Sequence, residues 1–194
     1  MAITYLNRRQ KLYYLHQGKT KLGNPKYFFS MKSDGNLAEV IPDGFEIYET
    51  PNAQVFLRKI PKKIITDDEV AVVERGMEKF SKLEHFQIDV KKEKISIFSP
   101  NENVSGLLEI YASTAYLHGK DPYEMQQLLA QSLTYSDNLR FVLVDNQKRL
   151  FQTERYCYLG SIDDWIEVGN IGPLEKLVRT YVKHIGQESF YELM

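Results

Sequence analysis

The run Leu139-Arg-Phe-Val-Leu-Val-Asp145 and the run from Arg149 to Tyr158 decide the fold class predicted for this chain. Both are rich in β-branched and aromatic residues, which favour strands. The residues between them, Asn146-Gln-Lys148, are typical of a turn. Together they predict a long β-hairpin.

A second hairpin is predicted upstream, where apolar residues alternate with polar ones on both sides of the polar turn Lys91 to Lys94. The apolar residues of this pattern are Phe86, Ile88, Val90, Ile95, Ile97 and Phe98. Thr66-Asp-Asp-Glu69 has the form of a capping box and predicts a helix to about Leu83. Three more helices are predicted, from Asn103 to Gly119, from Asp121 to about Leu129 and from Pro173 to Gly186.

The first 60 residues predict a small antiparallel β unit, because short aromatic runs alternate with turn signals. Its four predicted strands are Leu12 to His16, Lys26 to Ser30, Phe45 to Glu49 and Gln54 to Lys59. Residues 61–65 are predicted as a linker, because Pro61 lacks a backbone donor. Residues 66–194 form the rest of the chain.

The predicted fold class is α+β. It consists of the small N-terminal β unit followed by an α+β body of two β-hairpins and about four helices. The order of elements in that body is compatible with two αββα halves, although no matching residues support a duplication.

Composition excludes several classes of protein. The 194 residues are 43% hydrophobic and 26% charged, as in a folded globular protein. Cys157 is the only cysteine and the four histidines lack metal-site spacing, so neither a disulfide nor a metal or other cofactor is expected. The N-terminus lacks a signal-peptide pattern and no segment is long and apolar enough for a membrane helix. We therefore expect a cytoplasmic protein with no membrane partner. A non-enzymatic function is favoured over an enzymatic one, because the chain lacks a GxSxG elbow, a dinucleotide GxGxxG motif and a paired CxxC.

Charge is distributed unevenly along the chain. Residues 1–33 contain seven basic residues and no acid, whereas the remaining residues contain 18 basic and 26 acidic ones. Cations interleaved with aromatic residues suit nucleic-acid binding, since cations contact phosphates and aromatic rings stack on bases. The predicted phosphate contacts are Arg8, Arg9, Lys11, Lys19, Lys21 and Lys26, and the predicted stacking residues are Tyr13, Tyr14 and Tyr27. Alternatively, the aromatics form the core of a small sheet and the lysines its solvated face.

Two further candidate sites lie in the body. Arg155, Asp163, Asp164 and Trp165 are predicted as a partner-binding surface, because Arg and Trp are common interface anchors. The favoured alternative is structural, with Ser161 to Asp164 as the N-cap of a short helix and Trp165 in the core.

Asp89 and Lys91 have the spacing found in some divalent-metal nucleases, in which carboxylates hold the metal ion and a lysine steadies charge on the phosphate. That reading requires a second carboxylate nearby, and Glu74 and Glu78 are the candidates named by the sequence. A solvated hairpin turn explains the same residues without catalysis.

The sequence therefore predicts an accessory protein that binds nucleic acid through its basic N-terminal unit, with a protein partner or a second copy on the acidic body. The alternative is a protein interaction module without a nucleic-acid role, in which the basic N-terminus pairs with acidic residues within or between chains. A nuclease is the third reading. Exposed, unpaired cations favour the first reading, and cations paired with acids favour the second.

Overall fold

The computed structural model describes residues 1–102, 106–107, 109–110, 121, 128–129 and 131–194. The chain divides into two compact units. Unit 1 consists of Met1–Pro61 and Ser105–Leu133, and unit 2 consists of Lys62–Val104 and Thr134–Met194.

Unit 1 contains two antiparallel sheets. The first has three strands, β1 (Thr4–Leu6), β2 (Leu12–Lys19) and β3 (Pro25–Ser30), which pair in chain order. The second is the hairpin of β4 (Phe45–Glu49) and β5 (Val55–Lys59). All four predicted strands are present. The sequence reading missed β1, since a three-residue strand has too few positions to show an alternating pattern.

Unit 2 contains one five-stranded antiparallel sheet. Its strands pair in chain order and are β6 (Gln87–Lys91), β7 (Lys94–Pro100), β8 (Tyr135–Asp145), β9 (Leu150–Leu159) and β10 (Ile162–Pro173). Both predicted hairpins are confirmed as β6–β7 and β8–β9. Pairing between β7 and β8 joins the two hairpins into a single sheet.

The helices of unit 2 are α1 (Asp67–Phe80) and α2 (Leu174–Tyr181), and 3-10 turns follow at Val182–His184 and Glu188–Phe190. The predicted capping box is confirmed, because the Thr66 hydroxyl accepts the Glu69 N–H and the Glu69 carboxylate accepts the Thr66 N–H. In the described ranges, neither helix is of the length and apolar character that crossing a membrane requires.

The core of unit 2 lies between these helices and one face of the sheet. Val73 and Met77 of α1 and Val178 of α2 are buried against the apolar side chains of β7, β8 and β9. Those strand residues are Ile95, Ile97, Leu139, Phe141, Leu143 and Phe151. Alternation puts a polar row on the opposite face, where Asp89, Ser96, Arg140, Glu154 and Glu167 are cross-strand neighbours.

The α+β prediction with about four helices is wrong. The described residues form a mostly β protein with ten strands in three sheets and two α-helices. The helices predicted over 103–119 and 121–129 lie largely outside the described residues. One predicted helix start, Ser161 to Asp164, is instead the beginning of β10.

The error at β10 has a local cause. Asp164 does accept a nearby backbone N–H, as an N-cap residue would, but the donor is its neighbour Trp165 at 2.7 Å. The residues that follow, Trp165, Ile166 and Val168, favour an extended backbone. Pairing with β9 then decides in favour of a strand.

Candidate nucleic-acid interface

The β2–β3 hairpin of unit 1 carries most of the predicted binding residues. Its register pairs His16 with Phe28 and Lys19 with Pro25. Because side chains alternate across a strand, Phe28 and Lys26 share one face with His16, while Tyr27 lies on the other. The two strands thus present different chemistry on their two faces.

The lysines of this region are exposed. Lys19, Lys21 and Lys26, here called the tip lysines, lie at the closed end of the hairpin, and Lys11 and Lys32 lie towards its other end. Within the described ranges, none of the five forms an ion pair with a carboxylate. The tip lysines are therefore open to solvent on both sides of the hairpin end, with Lys26 on the face of His16 and Lys19 on the opposite face.

The two arginines have structural contacts instead. The backbone N–H of Arg8 donates to Glu49 Oε1 at 3.0 Å, and its guanidinium donates to the Pro51 carbonyl. Arg9 Nη2 donates to the Leu133 carbonyl at 2.7 Å. Both side chains are half-buried. The guanidinium groups that were predicted to bind phosphate are therefore already hydrogen-bonded to carbonyls within unit 1.

The predicted stacking tyrosines Tyr13, Tyr14 and Tyr27 are half-buried. The exposed aromatic residue is Phe28, with 45% of its surface accessible. Its ring stacks on His16 with centroids 5.2 Å apart, and Lys26 Nζ lies 5.6 Å from the ring centroid. The sequence carried a signal for this difference, because side chains alternate along a strand and Phe28 must face the side opposite to Tyr27 and Phe29.

The hairpin tip, Thr20–Asn24, is closed by local hydrogen bonds. The Gly23 N–H donates to the Thr20 carbonyl at 2.9 Å, and the Thr20 N–H donates to the Asn24 carbonyl at 2.8 Å. Gly23 has a φ of +83°, which a residue with a side chain rarely adopts. This turn leaves Leu22 89% exposed between the tip lysines.

In unit 2, the structure does not present Arg155 on a surface. Arg155 is 5% exposed, and its guanidinium donates to the backbone carbonyls of Leu193 at 2.8 Å and Tyr191 at 3.1 Å. These two hydrogen bonds join Arg155 to the C-terminal segment, whose Phe190 is buried in the core. The sequence gives no local signal for this contact, since its partners are backbone atoms 36 and 38 residues away.

The other predicted partner-binding residues lie together on the sheet. Trp165 packs under the Arg140 guanidinium, 3.8 Å from the ring centroid, and meets the Tyr156 ring edge-on at 5.5 Å. Asp163 accepts a hydrogen bond from the Tyr156 hydroxyl, which raises the pKa of Tyr156. Asp163 and Asp164 are exposed beside this aromatic pair.

The nuclease residues form an ion pair, with Asp89 Oδ2 and Lys91 Nζ 3.1 Å apart. A second carboxylate, that of Asp137 on β8, is close enough for the charge of Asp89 to affect it, whereas Glu74 and Glu78 are exposed on α1. Burial raises the pKa of Asp137 to about 6. Across the part of the chain that the structure describes, no three metal-ligating side chains converge.

A cavity of about 200 Å³ lies in unit 2. Its lining is aromatic and amide-bearing and consists of Asn138, Tyr156, Tyr158, Ile185, Gly186, Gln187, Phe190 and Tyr191. Tyr158 is 82% exposed and Tyr191 is 75% exposed at its rim.

No protein family, no curated protein and no solved structure matches the chain.

Proposed function

We propose that this protein is a non-enzymatic, cytoplasmic nucleic-acid-binding protein that contacts phosphates through the β2–β3 hairpin of unit 1. The observation that carries the proposal is the exposure of the tip lysines without an ion pair to any described carboxylate. The single cysteine, buried and free, suits a reducing compartment.

The physical argument is counterion release. Each lysine that neutralises a phosphate frees a condensed cation, so affinity falls steeply as salt rises. Lysines already paired with carboxylates would gain little from a phosphate, whereas the tip lysines have no such competitor among the described carboxylates. Phe28, which is 45% exposed beside Lys26, adds an apolar contact next to these cations.

The structure changes the set of residues proposed for this contact. Arg8 and Arg9 are removed from it because their groups bind unit 1 itself. Lys32 joins the lysines, and Phe28 takes the place of Tyr13, Tyr14 and Tyr27. The proposed contacts are Lys11, Lys19, Lys21, Lys26, Lys32 and Phe28.

The test is binding to labelled single- and double-stranded DNA and RNA over a salt series. The variant changes Lys19, Lys21 and Lys26 to Ala, and the matched control changes Lys148, Lys176 and Lys183, which are three exposed lysines of unit 2. If the tip lysines contact phosphates, the slope of log K against log salt becomes shallower by about 2 to 3 in the variant only.

The control excludes a simple effect of net charge, since both triple variants lose three positive charges. Equal losses in the two variants would contradict a contact at the hairpin. An absence of binding by the unmodified protein at low salt would overturn the proposed function.

A second candidate function is association through unit 2. It is favoured by the exposed Tyr158 and Tyr191 at the rim of the aromatic cavity, since tyrosine is enriched in interfaces. The partner to be tested first is a second copy of the chain. Sedimentation at rising concentration should show a dimer, and changing both tyrosines to Ser should abolish it.

A further inference from the structure

Leu22 is the most exposed large apolar side chain of unit 1 other than the terminal Met1, among the residues described. It lies at the end of the hairpin with Lys21 beside it, Lys19 at the end of β2 and Lys26 near the start of β3. A single exposed leucine is common on protein surfaces, and what sets Leu22 apart is its place at a turn between lysines. This position among three cations suits a partner that is anionic at its edges and apolar at its centre.

The turn that carries Leu22 is well defined. β2 and β3 pair without interruption up to Lys19 and Pro25. Beyond this pair, the Asn24 N–H also donates to the Thr20 hydroxyl at 3.1 Å, in addition to the two backbone bonds of the tip. Because the turn is closed by its own hydrogen bonds, the side chain of Leu22 lies at the end of a regularly paired two-stranded ribbon.

We propose that Leu22 inserts between stacked base pairs of duplex DNA as an apolar wedge while the tip lysines contact the flanking phosphates. The inference rests on the proposed function and names its substrate as duplex DNA. Proteins that bend DNA use apolar side chains in this way, at the cost of unstacking one step. A leucine surrounded by lysines combines the two chemistries that a base step offers, an apolar interior between anionic backbones.

Duplex DNA fits the hairpin better than duplex RNA does. A two-stranded β-ribbon enters a groove of B-form DNA, whereas the deep, narrow major groove of A-form RNA excludes side chains. Stacked base pairs are also required for a wedge, and a single strand lacks a fixed stack to open.

A membrane surface is the other partner with an apolar interior and an anionic edge. It would contact the hairpin only at its tip. The cationic and aromatic features instead continue down the ribbon, from Leu22 past Lys26 and Phe28 towards Lys11 and Lys32. A phosphate backbone that runs along the ribbon contacts lysines that a membrane at the tip would leave free, so nucleic acid is the favoured partner.

The experiment measures unstacking separately from binding. A short DNA duplex carries a fluorescent adenine analogue at one central step, and a second duplex carries a donor and an acceptor at its ends. Anionic phospholipid vesicles serve as the membrane probe. The full-length protein is compared with Leu22→Ser, and the matched control is Val40→Ser, which changes another exposed apolar residue of unit 1.

The expected result is a rise in analogue fluorescence and a bend of roughly 20–90° with the unmodified protein and with Val40→Ser. Leu22→Ser should leave the fluorescence at the level of the free duplex, while its Kd increases less than about tenfold because the phosphate contacts remain.

Binding of the unmodified protein without unstacking would overturn the wedge and leave the proposed function standing. Preference for single strands or for RNA at equal salt would also overturn it. If the protein binds no nucleic acid, both proposals fail, and vesicle binding lost in Leu22→Ser would then identify a lipid surface as the partner.

Discussion

The guanidinium of Arg149, in the turn between β8 and β9, donates from Nε to Glu69 Oε1 over 2.8 Å. The other carboxylate oxygen of Glu69 accepts the Thr66 N–H at 2.9 Å and so completes the capping box of α1. One carboxylate therefore caps the start of α1 and links this helix to the turn between β8 and β9. Arg149 has a φ of +51°, which lies in the left-handed region that favours glycine. A residue with a side chain therefore occupies this turn position at a conformational cost.

Replacing Arg149 with Ala should lower the free energy of unfolding of unit 2 by about 1 to 2 kcal/mol. The loss comes from charge-assisted hydrogen bonds between partly buried groups. Urea unfolding at neutral pH measures it. Lys63→Ala is the control, since Lys63 pairs with Asp67 at the surface and its loss should cost less than about 0.5 kcal/mol. Equal effects in the two variants would contradict the special position of Arg149.

The same pair makes stability depend on pH. Burial favours the protonated form of Glu69, but hydrogen bonds from Arg149 and Thr66 and the charge of Arg149 outweigh it and lower the pKa. A carboxyl group with a lowered pKa stabilises the folded state above its unfolded pKa of about 4.3, and this stabilisation is lost as pH falls. Stability measured from pH 6 down to pH 3 should therefore fall less steeply in Arg149→Ala. Parallel curves for the two proteins would show that the pair contributes nothing to the acid transition.

Asp137 should have the opposite effect on pH dependence. Burial raises its pKa to about 6, above the ordinary value of 3.8, and its Oδ1 lacks a hydrogen-bond partner among the described residues. A raised carboxyl pKa gives stability that is complete below pH 4 and is lost as pH rises through 6. Asp137→Asn should therefore raise the free energy of unfolding of unit 2 above that of the unmodified protein. This gain should be larger at pH 8 than at pH 4.5, by no more than about 3 kcal/mol.

The check on Asp137 is the difference in unfolding free energy between the two pH values. Glu84→Gln is the control, because Glu84 is exposed and its substitution removes one charge without changing a buried group. If Asp137→Asn and the unmodified protein have the same free energy of unfolding at pH 8, the Asp137 carboxyl group is solvated and burial does not raise its pKa.

A glycine in α1 separates packing from helix propensity. A Cβ at Gly76 would lie 2.0 Å from Val178 Cγ1 of α2. In an isolated helix, Gly→Ala stabilises by about 1 kcal/mol. Here the clash should reverse the sign, so that Gly76→Ala destabilises unit 2 by about 1 to 3 kcal/mol.

Thermal unfolding of a double-mutant cycle tests this contact. Val178→Ala removes the methyl groups that the new Cβ would meet, so the double variant should be more stable than the sum of the single changes predicts, by about 1 kcal/mol or more. Additive changes would show that the two helices can move apart at no cost.

Local signals in the sequence predicted much of the fold. The Thr66 and Glu69 capping box and the polar turn between Val90 and Ile95 depend on neighbouring residues only, and both are present. The start of β10 was misread because Asp164 bonds a local N–H in a strand as it would at a helix cap. Only pairing with β9, which is not local, distinguishes the two.

The candidate site shows the same limit. The absence of acids among residues 1–33 drew attention to the hairpin region, where the tip lysines are exposed, and a phosphate contact there stays a prediction. Arg8, Arg9 and Arg155 were indistinguishable from surface cations in the sequence. Their partners are backbone carbonyls of Pro51, Leu133 and Leu193, and carbonyls carry no sequence signal.

The contact of Arg155 with the C-terminal segment gives the last prediction. Arg155 donates to the carbonyls of Leu193 and Tyr191, and Phe190 is buried beside it, 5.9 Å from the guanidinium carbon to the ring centroid. Arg155→Met keeps an apolar chain of similar length but removes the donors. We expect a protease that cleaves after aromatic residues to cut at Phe190 or Tyr191 at least about tenfold faster, because the segment detaches more often. Arg179→Met is the control, since Arg179 is exposed on α2. Mass spectrometry of the digest identifies the cut, and an unchanged rate at these two residues would mean that packing of Phe190 alone holds the C-terminal segment.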